Sequence, residues 1–104
     1  MIITTTETVP GRDVREIIDV VSGNTIRSKN IGKDIGAGLK SMVGGELRSY
    51  TAMLTEARDE AKARMIEAAQ AVGADAVVNV RFTTSQVTGG AAELLAYGTA
   101  VKLT

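Results

Sequence analysis

The chain has no cysteine, no histidine and no tryptophan, and its 104 residues include a single proline. Its aromatic residues are Tyr50, Phe82 and Tyr97. Each shortage excludes something. Without cysteine there is no disulfide, no thiolate nucleophile and no thiolate metal site. Without histidine there is no Ser-His-Asp or Cys-His arrangement, no imidazole base near neutral pH and no zinc site of the usual kind. A metal would have to be held by carboxylate, carbonyl and hydroxyl oxygens, which suit Mg²⁺, Ca²⁺ or Mn²⁺. Net charge is also lacking. Twelve basic residues cancel twelve acidic ones, so no global field draws in nucleic acid or an anionic membrane surface. No stretch approaches the ~20 apolar residues of a membrane span. Met1 to Thr6 lacks the basic-then-apolar order of a signal peptide. The expectation is a cytoplasmic protein with no nucleic-acid or membrane partner.

What is present is a soluble, single-domain composition over residues 1–104, with 44% apolar and 23% charged residues. A core built without aromatics gains little from each side chain, and 11 glycines add chain entropy that folding must overcome. Self-association is the expected remedy. Residues 46–72 carry the strongest pattern: Leu47, Tyr50, Leu54, Ala57, Ala61, Met65, Ala68 and Val72 recur at steps of three and four. That spacing predicts one apolar seam along a helix, with Gly73 as its left-handed stop. At 1.5 Å per residue the helix spans about 40 Å, more than the ~33 Å diameter of a compact domain of this length.

The rest of the chain reads mostly as strand. Met1–Thr6 is short and β-branched, and Val9-Pro10-Gly11 punctuates it. Val14 to Ser28 is β-rich, with Gly23-Asn24 at its middle as either a hairpin turn or a bulge. Asp34 to Val43 has helical spacing among glycines and is read as a short helix. Ala76 to Thr83 predicts a strand with Val78, Val80 and Phe82 on one face. Glu93 to Leu103 predicts the last strand, with Leu95, Tyr97, Thr99, Val101 and Leu103 on one side. The fold class is α+β: a small antiparallel or mixed sheet packed by one long and one short helix.

Candidate chemistry is sparse. Glu56, Asp59 and Glu60 on the long helix could gather a hard cation, but Arg58, Lys62 and Arg64 interleave with them, as on a solvated face. Glu60 and Arg64 stand at the favourable i, i+4 offset. The glycines at 32–45 fail the phosphate-loop spacing, because Leu39 stands where a glycine should precede Lys40-Ser41. Gly44-Gly45 opens the long helix, with Glu46 already at its positive end. Met42, Met53 and Met65 read as core filler. Thr4-Thr5-Thr6 and Thr83-Thr84-Ser85 read as sheet surface, Asp75 as a cap on the turn after Gly73, and Tyr97 as packing. An enzymatic role would have to rest on Tyr97, Lys40 or an interfacial carboxylate.

Several segments together resemble the YbjQ-like family, described as heavy-metal-binding domains. They are Thr4-Thr5-Thr6 with Gly11, Gly32-Lys33-Asp34-Ile35-Gly36-Ala37-Gly38-Leu39, Val43-Gly44-Gly45-Glu46, Tyr50-Thr51, Ala57-Arg58, Gly73-Ala74-Asp75-Ala76-Val77-Val78 and Tyr97-Gly98-Thr99-Ala100-Val101. The resemblance implies a small α+β subunit, similar to dodecin-like folds, that assembles as a ring, typically a homopentamer. It brings no catalytic residue, no cofactor and no assigned metal ligand. The expected role is non-enzymatic: a structural or small-ligand-binding homo-oligomer. The alternative is a metal-ion binder with oxygen ligands at subunit interfaces.

Overall fold

Small side chains let a helix come close to a sheet, and this protein is built around one such approach. The computed structural model describes residues 1–28, 44–87 and 90–104, with only the backbone at 44–47. The short helix expected over Asp34 to Val43 therefore lies outside the described residues. Within them the order is β1 (Ile2–Ile3), β2 (Val14–Arg27), α1 (Gly44–Ala71), β3 (Ala76–Gln86) and β4 (Ala92–Leu103).

The strands form one mixed sheet in the order β1-β3-β4-β2. β1 runs parallel to β3, whereas β4 pairs antiparallel with both β3 and β2. β2, α1 and β3 thus make a crossover unit, and β4 is inserted between its two strands. The helix lies on one side of the sheet, chiefly over β2 and β4. The molecule measures 53 × 24 × 16 Å, and its shortest dimension is the depth of one sheet and one helix.

α1 turns its apolar stripe inward at strict steps of four: Ala57, Ala61, Met65 and Ala69 are fully buried. This adjusts the seam expected from the sequence at its end: Ala69 is fully buried, Ala68 packs half-buried against the same cluster, and Val72 is 41% exposed. For Val72 the reason is the helix stop. Ala74 N–H donates to Ala69 C=O and Gly73 N–H to Gln70 C=O, with Gly73 at φ +76°. This is the paired Schellman closure, and it lifts Val72 off the sheet. On the sheet side, Val21, Val77, Val80, Ala96 and Ala100 complete the cluster. Thr25 joins them by donating its hydroxyl to Ala57 C=O at 3.0 Å.

Gly23-Asn24 is neither a hairpin turn nor a bulge. β2 runs straight through it, with Gly23 opposite Ala96 and Asn24 opposite Leu95. A Cβ at Gly23 would stand 2.3 Å from Ala61 O and 2.4 Å from Met65 N, so this glycine is where the helix backbone meets the strand. The bulges of β2 lie earlier, at Val14/Glu16 and Ile17/Asp19.

A third bulge, between Val78 and Arg81, overturns the expected face of β3. Asn79 takes φ 54° there, and the extra residue reverses the alternation. Val78 packs with Val9, Ala76, Val101 and Leu103 on the side away from the helix. Val80 turns to the helix side, and Phe82 follows it through its pairing with Ala96.

Candidate functional site

Two surfaces stand out as uncovered by the described residues. The first is the face of the sheet opposite α1. At one end the 4–14 segment folds over it and buries Val9 against Ala76, Val78, Val101 and Leu103. Beyond that cover, Ile17, Val20 and Ile26 of β2 stand 71%, 68% and 59% exposed, and Tyr97 of β4 stands 38% exposed. Their partners across the ladder are Val101, Thr99, Glu93 and Ser22. Among the described residues β2 has no neighbour along its outer side, so the apolar patch borders a 14-residue strand edge that no described strand covers.

The second surface is a recess of about 270 Å³ beside α1, on the helix side of β1 and β3. Because α1 covers mainly β2 and β4, it leaves the strip above β3 open among the described residues. Ile3, Val80 and Phe82 give the recess an apolar lining, and Thr4, Thr5 and Lys62 join them. Its wall is fixed by backbone bonds: Thr4 N–H donates to Val77 C=O, and Val80 N–H to Thr4 C=O. Arg81 Nη1 donates to Thr5 C=O at 2.9 Å. Thr4 Oγ1 and Thr6 Oγ1 are 2.7 Å apart, and Thr6 Oγ1 donates to Thr8 C=O. The Thr4-Thr5-Thr6 run is therefore an ordered arc beside a recess. Sequence reasoning missed the recess itself, and the one signal for it was Asn79, a residue tolerant of left-handed backbone in a valine-rich strand.

The other candidate residues fall elsewhere. Glu60 bonds Arg27 across to β2 and Arg64 one turn along the helix, so the expected i, i+4 pair forms as part of a three-residue bridge. The hydrogen bond from Arg27 is the largest influence holding the Glu60 carboxyl below its ordinary range. Glu56 and Asp59 are exposed on α1. Asp75 does not cap the turn after Gly73. Its carboxylate accepts from Leu103 N–H at 2.9 Å, and this bond holds its pKa down. Met65 is buried in the core, as expected of filler, and Met53 is half-buried. Thr83, Thr84 and Ser85 are exposed in β3. Lys40, Met42 and the glycines at 32–38 lie outside the described residues.

No group of three or more metal-ligating side chains stands together among the described residues. With neither thiolate nor imidazole in the chain, the described donors do not fit a soft heavy metal. No helix among the described residues is long and apolar enough to cross a membrane.

Comparison with known proteins adds a consistent picture. A family model described as "Putative heavy-metal-binding" (YbjQ_1) matches residues 1–104. A UPF0145 protein of Methanoculleus marisnigri is 70% identical over 103 residues, covering 99% of this chain and 96% of that protein. A UPF0145 protein of Vibrio parahaemolyticus is 59% identical, covering 99% of this chain and 98% of that protein. A crystal structure of a DUF74-family protein of unknown function from Pediococcus pentosaceus superposes with a TM-score of 0.67. It covers 100% of this chain and 98% of that one at 20% identity, a likeness of fold.

Proposed function

The chain belongs to the YbjQ-like family, and from that footing we propose that it works as a homo-oligomer, a dodecin-like ring of five subunits. Its role is structural or small-ligand-binding, carried out in the cytoplasm without catalysis of its own. The observation that supports this reading is the uncovered sheet face. Ile17, Val20, Ile26 and Tyr97 form an apolar patch beside a free edge strand. Among the described residues no second helix layer covers such a patch, and natural proteins rarely leave a long apolar edge bare. A second copy covers it most simply. In a ring, each β2 edge meets the next subunit's β3 beyond Arg81, where β3 has no described neighbour on its outer side. Such a head-to-tail contact closes when its rotation divides a full turn.

Native mass spectrometry at micromolar concentration tests this. The expected species has five times the 10.9 kDa protomer mass, and the double variant Ile17→Lys/Val20→Lys shifts it towards monomer. A stable wild-type monomer would sink the reading. The alternative, a cation held by oxygen ligands at subunit interfaces, draws its support from the family's description. Elemental analysis of protein purified without added metal decides it, and substoichiometric metal rules it out.

A further inference from the structure

The recess beside α1 has a chemical character that assembly does not explain. Its lining is apolar on Ile3, Val80 and Phe82, and among the described residues its one charged side chain is the Lys62 ammonium. The ion pairs among the described residues are those of Glu60 with Arg27 and Arg64, and Lys62 takes part in neither. The Asn79 bulge turns Val80 into the lining. Three bonds to the chain at Thr4 and Thr5 hold the wall in place. Bulges that re-aim a side chain are frequent beside binding sites, and a pre-formed apolar cleft with few polar groups is the common form of a small-molecule site.

We propose that this recess binds a small aromatic monocarboxylate, with its ring on Phe82 and Val80 and its carboxylate on Lys62. A volume of about 270 Å³ suits a ring with a short side chain. The single cation among the described lining residues matches a monoanion, whereas a phosphate would call for several convergent N–H donors or a guanidinium. Phe82 is 45% exposed, and an aromatic ring offers an edge or face for offset stacking.

Titration of methyl-labelled protein with 3-phenylpropionate, followed by NMR, tests the proposal against the neutral 3-phenylpropan-1-ol. The Ile3 and Val80 methyls shift with both compounds, and the acid binds roughly tenfold more tightly, the size of a partly exposed charge-assisted contact. Lys62→Gln brings the acid to the level of the alcohol and leaves the alcohol unchanged. Phe82→Ala weakens both. Lys62 and Phe82 are exposed, so neither variant threatens the core. Equal binding of acid and alcohol overturns the proposal. So do shifts spread away from the recess, or no shifts up to about 10 mM ligand.

Discussion

Replacing Gly23 by alanine adds one methyl group at the point where α1 meets β2. The new Cβ would lie 2.3 Å from Ala61 O, 2.4 Å from Met65 N and 2.7 Å from Arg64 Cβ. The first two are helix backbone atoms and cannot rotate away. Relief to ordinary contact requires strand and helix to part by about 1 Å. A gap of that size forfeits a quarter to a half of the dispersion attraction across it, and it falls between Met65, Ala61 and Ala69 on one side and Val21 and Ala96 on the other. Burial of such side chains contributes about 1.5–3 kcal/mol each for the larger ones, so the separation costs about 3–4 kcal/mol. Alanine offsets about 0.5–1 kcal/mol through the lower entropy of its unfolded chain. The net loss is about 2–3 kcal/mol, out of a total of about 5–15 kcal/mol for an ordinary domain. In urea, at a slope of about 1–2 kcal/mol per molar, the unfolding midpoint falls by about 1–3 M. Helical circular dichroism reads it, at one protein concentration throughout, because association is coupled to stability. Ser22→Ala, at the neighbouring exposed position, is the control. A Gly23→Ala midpoint indistinguishable from that control would refute the close-approach argument.

Two further expectations concern backbone strain and acid. Asn79→Ala destabilises by about 1 kcal/mol, because φ 54° penalises a Cβ without a local polar partner, whereas Asn79→Gly is close to neutral; equal urea midpoints for the two variants would contradict this. Glu60 and Asp75 both have lowered pKa values, through the hydrogen bonds from Arg27 and from Leu103 N–H respectively. A depressed carboxyl stabilises the fold fully above its ordinary pKa, 4.5 for Glu60 and 3.8 for Asp75. That contribution is lost as pH falls through the lower folded value. The stability gap between wild type and Glu60→Gln/Asp75→Asn therefore narrows from pH 7 towards pH 2, and parallel pH profiles would exclude the assignment.

The long helix and the last two strands were legible in the sequence because periodicity and glycine punctuation are local signals. Gly73 is the clearest case, since a left-handed stop needs nothing beyond its own turn. Gly23 was not legible. The same residue type serves turns, bulges and close approaches, and only the position of Ala61 and Met65, some forty residues later, decides among them. The faces of β3 failed for a related reason. Alternation predicts Val78, Val80 and Phe82 together, and one inserted residue at Asn79 reverses the register without altering composition. The recess inherits that difficulty. Its residues come from β1, α1 and β3, and no spacing along the chain joins Lys62 to Ile3.

The place of β4 in the sheet has a consequence for the order of events in folding. It is a central strand, paired along β2 from Arg27↔Ala92 to Val14↔Leu103 and along β3 from Gln86↔Ala92 to Ala76↔Val101. It also follows every one of its partners in the chain. During synthesis β2 and α1 are complete long before the strand that joins them to β3 exists. Until it does, the apolar side of β2 has only the alanine stripe of α1 to rest against. The β3–β4 hairpin is local and closes quickly, whereas the β2–β4 ladder links residues up to 89 positions apart and carries the larger loop-closure cost. Cooperative folding thus waits on the final strand, and the interval before it is when the nascent chain most needs protection from its neighbours.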